Sequence, residues 1–132
     1  MISKALLTLG VTAALSLPVG AHHSYSAFAV DRTVALQGKI ERIVFGNPHV
    51  VLDLRTASGD VYEVVWRASG QLERNGVSRD ALAVGDDVVI KGSPALDAAR
   101  HELTLIKEVH RPRDGWTWQL DSQRVSRGNE SR

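Results

Sequence analysis

The fold of this chain is decided by residues 69–76, Ser-Gly-Gln-Leu-Glu-Arg-Asn-Gly, because the pattern of the sequence changes there. Ser69 is of a type that caps the first turn of a helix, and Gly76 is of the type that ends one. Leu72 is the only strong apolar anchor between them, so we expect one or two helical turns over Gly70–Arg74. A short helix at this point separates the elements before it from those after it.

On both sides of this helix, apolar and polar residues alternate with the period of two that is typical of half-buried strands. Three strands are expected before the helix and two after it: 34–45, 50–55, 61–66, 87–92 and 101–110. Three meandering strands, one short helix and two further strands follow the order of the OB-fold, a five-stranded Greek-key barrel. We therefore predict an all-β fold with one short helix, a five-stranded OB-fold-like small barrel. Other small barrels also fit the strands, and the helix favours the OB-fold.

Two of these strands carry finer predictions. Gly38 lies within the first strand and indicates a bulge or a bend there. Strict alternation in the fifth strand predicts two opposite faces: Leu103, Leu105, Lys107 and Val109 on one, and Glu102, Thr104, Ile106 and Glu108 on the other.

The beginning of the chain has the layout of a secretory signal peptide. Lys4 is followed by an apolar run, Ala5–Leu17, and then by small residues that end at Ala21. About 13 apolar residues are too few for a membrane span, which needs roughly 18. We therefore expect cleavage after Ala21, a periplasmic location and no membrane span after cleavage.

Four segments follow from these patterns. They are a signal peptide over residues 1–21, an N-terminal leader over 22–33, the OB-like barrel over 34–120 and a disordered tail over 121–132. The tail is predicted because only Val125 is apolar among its residues.

The composition excludes some classes of function. The chain has 16 Lys and Arg, of which Lys4 lies in the signal peptide, so 15 remain against 15 Asp and Glu. A neutral balance with only 5% aromatic residues argues against nucleic-acid binding, which relies on clustered basic charge. The absence of cysteine rules out thiolate metal sites and cysteine nucleophiles.

The most specific chemistry lies at the expected mature N-terminus, which begins His22-His23. An N-terminal histidine can chelate a metal through its α-amine and Nδ1, and nitrogen donors in near-planar geometry favour Cu(II). His49 is the best candidate for a third imidazole if the leader folds back across the barrel. Copper is therefore a possible cofactor, held by His22, His23 and His49. One alternative is that the two histidines merely follow the cleavage site in a flexible leader, or in a leader that Tyr25 and Phe28 pin to the barrel. For His49, the alternatives are a histidine satisfied by a backbone carbonyl and a turn residue with no ligand.

Aromatic residues suggest a second candidate site. Trp116 and Trp118 fall on one face if the chain stays extended past Gly115, and they could present a ligand or partner surface. The alternative is a tryptophan clamp that closes one end of the barrel. Trp66 is expected in the core. His101 and His110 lie about nine residues apart on one strand, too far to share a metal, and are expected to be solvated strand-end residues.

The sequence contains no residue pattern that is typical of a catalytic site. Asp86 and Asp87 are adjacent, so their side chains should diverge rather than act as an acid and base pair. No serine lies in a nucleophile elbow, and no glycine-rich loop could cradle a phosphate. We therefore predict a protein that is not an enzyme.

Taken together, these motifs resemble those of a family of small exported bacterial proteins of unknown function. The resemblance implies a periplasmic OB-like barrel and no established activity. The family's usual pattern has an acidic residue just after the tryptophan of the third strand, whereas this chain has Arg67-Ala68, so no role of that carboxylate can be carried over. The matching motifs are His22-His23-Ser24, Gly38, Asn47-Pro48-His49, Trp66, Leu72–Gly76, Gly85-Asp86, Gly92-Ser93-Pro94 and Asp114-Gly115.

The leading functional hypothesis is an exported, non-enzymatic binding module whose partner is a small ligand or an envelope protein, with Cu(II) binding as its specific form. The alternative is a protein–protein adaptor that docks through an exposed strand edge or the tryptophan face. Oligonucleotide binding, which OB-folds often perform, is disfavoured by export and by the neutral charge.

Cleavage after Ala21 can be tested directly. We expect the intact mass of protein purified from the periplasm to correspond to a chain that begins at His22. A mass that includes residues 1–21, or that begins after His23, would contradict both the predicted cleavage site and the N-terminal copper site.

Overall fold

The computed structural model describes residues 25–128, in which the chain forms seven strands, one α-helix and two short 3₁₀ turns. The 3₁₀ turns span Tyr25–Ala27 and Ala98–Arg100. In chain order the other elements are β1 (Val34–Val44), β2 (Val51–Arg55), β3 (Val61–Val65), α1 (Ser69–Arg74), β4 (Asp87–Pro94), β5 (Glu102–Arg111), β6 (Trp116–Gln119) and β7 (Arg124–Ser126).

The first five strands close into a barrel. Their order is β3-β2-β1-β4-β5, and β5 returns to pair with β3 in parallel through Glu63–Glu102 and Val64–Leu103. With α1 between β3 and β4, this is the connectivity of the OB-fold. The prediction of an all-β, five-stranded OB-like barrel with one short helix is therefore confirmed.

Strand β1 is shared by the two halves of the barrel. Its first part, Val34–Lys39, pairs with β4, and its second part, Lys39–Val44, pairs with β2. Gly38 lies where the strand passes from one partner to the other. A Cβ atom at this glycine would collide with the backbone carbonyl of Arg55 and would lie 2.9 Å from Cγ of Leu54. The irregularity in register falls slightly later than predicted, between Ile40 and Arg42.

The core consists of the inward side chains of β1 to β5 together with α1 and β6. Leu72 of α1 is fully buried, as its role as an anchor predicts. Trp66, at the end of β3, packs edge-on against Trp118 with ring centroids 5.1 Å apart. The core residues are Ile40, Val50, Leu52, Leu54, Val64, Trp66, Leu72, Val77, Leu82, Val88, Ile90, Leu103, Ile106, Val109, Trp116 and Trp118.

The chain after β5 differs from the sequence-based expectation. Trp116 and Trp118 lie on β6 and are 3% and 0% exposed, so the prediction that they present a partner surface is wrong for this structure. The tail predicted to be disordered from Asp121 also contains β7, which pairs with β6. Val125 is half-buried against the core, and this single apolar residue gives β7 a reason to pack.

A buried ionic network joins the loop before β4 to the end of β5. Asp86 is 5% exposed and accepts hydrogen bonds from the Ala83 N–H at 3.0 Å and from the Arg111 guanidinium at 2.8 Å. Arg113 approaches the same carboxylate at 3.1 Å, and Arg111 also binds Asp114 at 2.8 Å. Asp87 instead faces solvent and pairs with Lys39, so the two adjacent carboxylates diverge as predicted.

The described part of the leader is attached to the connection between β4 and β5. The Ala29 N–H donates to the Pro94 carbonyl, and the Leu96 N–H donates to the Ala27 carbonyl, both at 2.9 Å. Phe28 forms an isolated bridge with Ala95. Among residues 25–128, no helix has the length and apolar character that a membrane crossing requires.

Substitution of Gly38 tests the close packing at the centre of β1. We expect Gly38→Ala to lower the free energy of unfolding by about 1–3 kcal/mol, because the new methyl group must displace backbone of β2. Gly46→Ala is the matched control, since a Cβ atom at that position would have no other atom within 4 Å and its φ is not positive. Equal effects of the two variants in urea denaturation would contradict this explanation.

The ionic network predicts a specific loss of stability in acid. Burial raises the pKa of Asp86, but hydrogen bonds from Ala83 and Arg111 outweigh it, so the pKa lies below its ordinary value of 3.8. The hydrogen bond from Arg111 likewise lowers the pKa of Asp114 to about 2. A carboxyl group whose pKa is depressed by folding stabilises the protein above the unfolded pKa, and this contribution is lost as the pH falls through the folded pKa.

We therefore expect the free energy of unfolding to fall between about pH 4 and pH 2, and to fall less steeply in Asp86→Asn and Asp114→Asn. Asp86→Asn should also cost roughly 3 kcal/mol at neutral pH, because it leaves the charge of Arg111 partly uncompensated. Asp31→Asn, at an exposed position without an ion pair in the described chain, is the control. An acid limb unchanged in both network variants would refute the assignment.

Candidate functional site

The barrel has a split between β3 and β5, and a cavity lies in this split. The two strands pair only at Glu63–Glu102 and Val64–Leu103. Beyond Val64, the chain follows β2 instead, as the Trp66 N–H donates to the Val50 carbonyl at 2.8 Å. A cavity of about 430 Å³ remains between the separated strands, which is a size typical of small-molecule sites.

The lining of this cavity is largely apolar, with a few polar side chains. One wall comes from the end of β3 and the start of α1, the other from β5, and the rim from the leader and the segment before β2. The lining residues are Tyr25, Pro48, His49, Val65, Trp66, Arg67, Ala68, Gln71, Thr104, Leu105, Ile106, Lys107 and Leu120.

A bulge in β5 shapes the second wall. The register between β4 and β5 shifts between Lys91 and Ser93, and Leu105 has a left-handed backbone with φ of 47°. Gly92 permits this close approach, since a Cβ there would lie 2.7 Å from the Thr104 carbonyl oxygen. The bulge ends the strict alternation predicted for this strand. Leu103 and Val109 of one predicted face are buried, and so are Thr104 and Ile106 of the opposite face.

His49 lies at the rim of the cavity, directly before β2. It follows the cis Asn47–Pro48 peptide bond and is half-buried. Its Nδ1 is 3.1 Å from the carbonyl oxygen of Trp66. Because a carbonyl can only accept, Nδ1 carries the proton, and in the neutral ring Nε2 carries the lone pair. This contact is the one expected under the alternative interpretation, in which a backbone carbonyl satisfies His49. The same contact also orients the ring in the way typical of metal-ligating histidines.

The leader reaches the same cavity. Tyr25, the first described residue, contributes to its lining together with His49. His22 and His23, the other two predicted copper ligands, lie outside the described residues. Within residues 25–128, no group of three His, Asp or Glu side chains is arranged to hold a metal ion. A metal site at His49 would therefore require donors outside residues 25–128.

The other histidines are not part of this site. His101 precedes β5 with a left-handed backbone, and its ring lies 4.9 Å from that of Tyr62. His110, near the end of β5, has Nδ1 at 2.7 Å from the Thr117 hydroxyl. Both are half-buried and have neighbours, whereas the sequence predicted solvated residues. As predicted, the structure does not bring them together.

The charge of the cavity was not foreseen from the sequence. Arg67 and Lys107 line opposite walls, and among residues 25–128 no Asp or Glu contributes to the lining. The Lys107 ammonium donates to the neutral Thr33 hydroxyl at 2.7 Å. No ion pair to a carboxylate is formed by either residue within the described chain. The sequence shows that Arg67 directly follows Trp66 at the end of a predicted strand. The strand pattern does not show that β3 and β5 separate at this point and leave Arg67 beside a cavity.

Trp66 links the cavity to the core. It lines the cavity and also packs on Trp118, and its indole Nε1 is buried without an acceptor among residues 25–128. A buried indole N–H usually has a partner. The expectation that Trp66 belongs to the core is confirmed, and the structure adds its contact with the cavity.

Comparison with known protein families identifies the family of this chain. The model of a family described as a family of unknown function, DUF6152, matches residues 11–104, which is more than half of the chain. The curated proteins contain no match to this sequence.

Proposed function

We propose that this chain, which belongs to the DUF6152 family of unknown function, is an exported, non-enzymatic binding module of the periplasm whose ligand site is the cavity between β3 and β5. The small β-barrel supplies a rigid frame for such a site. The observation that carries the proposal is the convergence of His49, Arg67, Gln71 and Lys107 on one cavity of small-molecule size.

The specific form of this proposal is Cu(II) binding at the rim of the cavity. The donors would be the α-amine freed by cleavage after Ala21, the side chains of His22 and His23, and Nε2 of His49. Two observations support it. The leader meets the cavity at Tyr25, and His23 is only two residues earlier in the sequence. The tautomer imposed on His49 by the Trp66 carbonyl places the lone pair on Nε2.

The alternative of an adaptor that docks through Trp116 and Trp118 receives no support from this structure, since both side chains are buried. Nucleic-acid binding is likewise disfavoured, because the outer surface of β1 and β2 carries paired charges rather than aromatic side chains. Arg42 pairs with Asp53, and Arg55 pairs with Glu41.

A copper titration of mature protein purified from the periplasm tests this proposal. We expect one tight Cu(II) per chain, measured by competition with a chelating dye. The double variant His22→Ala/His23→Ala should lose stoichiometric binding, and His49→Ala should weaken binding by about tenfold or more. Circular dichroism should show an intact barrel in both cases, because none of these side chains belongs to the core.

His101→Asn is the matched control. It removes a histidine elsewhere and retains a residue type that tolerates the left-handed backbone at that position, so copper affinity should not change. Copper affinity that is unchanged in the double variant, or no tighter than that of a free His-His peptide, would refute the copper site.

A further inference from the structure

We infer that the cavity between β3 and β5 is selective for a small organic anion, a carboxylate attached to a short apolar body. The inference deepens the proposed function, on which it rests for taking the cavity as the ligand site, and it does not require copper.

The first argument is the charge of the lining. Arg67 on the β3 side and Lys107 on the β5 side contribute two positive charges, and none of the lining residues that the structure describes contributes a negative one. Arg67 is half-buried, so its guanidinium is less well screened by water than that of an exposed arginine. A cavity of this kind attracts anions.

The second argument is the contrast with the other basic residues. Seven Lys and Arg side chains elsewhere in the described chain form ion pairs with carboxylates, and the two that line the cavity do not. Five arginines outside the cavity also lack an ion pair within the described chain, but all five are exposed to solvent, whereas Arg67 is half-buried in the cavity wall. The five exposed residues are Arg32, Arg74, Arg79, Arg124 and Arg127. The seven paired residues are Lys39, Arg42, Arg55, Lys91, Arg100, Arg111 and Arg113.

The third argument is the chemistry that surrounds these charges. The guanidinium group has the planar, two-pronged geometry that binds a carboxylate bidentately. The Arg67 backbone is fixed because its carbonyl accepts from the Val50 N–H at 2.8 Å. Val65, Leu105 and Leu120 supply apolar surface next to the charged groups. A charged head group with a short hydrocarbon body matches both parts of the lining.

The apolar wall also includes a residue with an unfavourable backbone conformation, and such residues are common at ligand sites. Leu105 adopts a left-handed backbone with φ of 47°, a conformation that is unfavourable for residues with a Cβ atom. The bulge at this residue brings Leu105 into the lining. Bulges and strained residues are concentrated beside binding sites, where they re-aim side chains.

Three probes separate the contribution of charge from that of the apolar body: hexanoate, its neutral analogue hexanamide, and acetate, which has the charge without the body. Binding to copper-free mature protein would be measured by ¹H–¹⁵N NMR titration. We expect hexanoate to bind at least tenfold more tightly than either of the other probes, with shifts at Arg67, Leu105 and Lys107. Its affinity should fall as ionic strength rises.

Variants test the two cations. In Arg67→Gln, hexanoate and hexanamide should bind with affinities within about twofold of each other, and Lys107→Gln should reduce the preference in part. Arg67→Lys retains the charge without the two-pronged geometry and should retain part of the preference, which gives a readout if Arg67→Gln does not fold. Arg124→Gln, at an exposed position outside the cavity, should leave the preference unchanged.

The outcomes distinguish this inference from the proposed function. Equal binding of hexanoate and hexanamide in the cavity would overturn the anion selectivity and leave the binding module in place. Copper binding without binding of any of the three probes would also overturn the inference alone. The absence of both copper binding and probe binding would overturn both.

Discussion

Glu63 with Glu102 and Val64 with Leu103 are the two residue pairs that join β3 to β5, and this short parallel contact closes the barrel. Because it ends after Val64, the two strands separate and leave room for a cavity between them. Every other neighbouring pair of barrel strands is joined over five or more residue pairs. The two pairs close the barrel, and the point at which they end determines where the cavity between β3 and β5 begins. The residues of the candidate site are those that continue each strand past this point.

The strand pattern was sufficient to predict the barrel because its strands are half-buried, and alternation is a direct consequence of that burial. The short helix followed from Ser69, Leu72 and Gly76, although in the structure Ser69 begins α1 and does not cap it. Strand β5 departed from its pattern because the bulge around Leu105 interrupts the alternation, so that residues of both predicted faces are buried. A bulge formed by leucine leaves no signal in the sequence. Strand β7 was missed because one apolar residue, Val125, is too little to predict a strand.

The candidate site was predictable in part. His49 was identified from its place after Asn47-Pro48, and the structure puts it on the rim of the cavity. Arg67 and Lys107 were not identified as site residues. They stand out because they line one cavity without a described carboxylate nearby, and only the three-dimensional structure shows this. Trp116 and Trp118 were assigned to a surface because alternation places them on one face without showing whether that face is covered. They are buried because β6 continues the sheet beside β5 and packs against Trp66.

The tryptophans also give the protein an intrinsic optical signal. All three indoles of the sequence, at Trp66, Trp116 and Trp118, are buried, so their fluorescence emission should lie at the short wavelengths characteristic of apolar surroundings. Only Trp66 also borders the cavity, and its ring is in edge contact with that of Trp118. A molecule that enters the cavity therefore changes the surroundings of one chromophore of a coupled pair. A paramagnetic ion at the rim would quench the same emission, so occupancy of the cavity can be followed without any attached label.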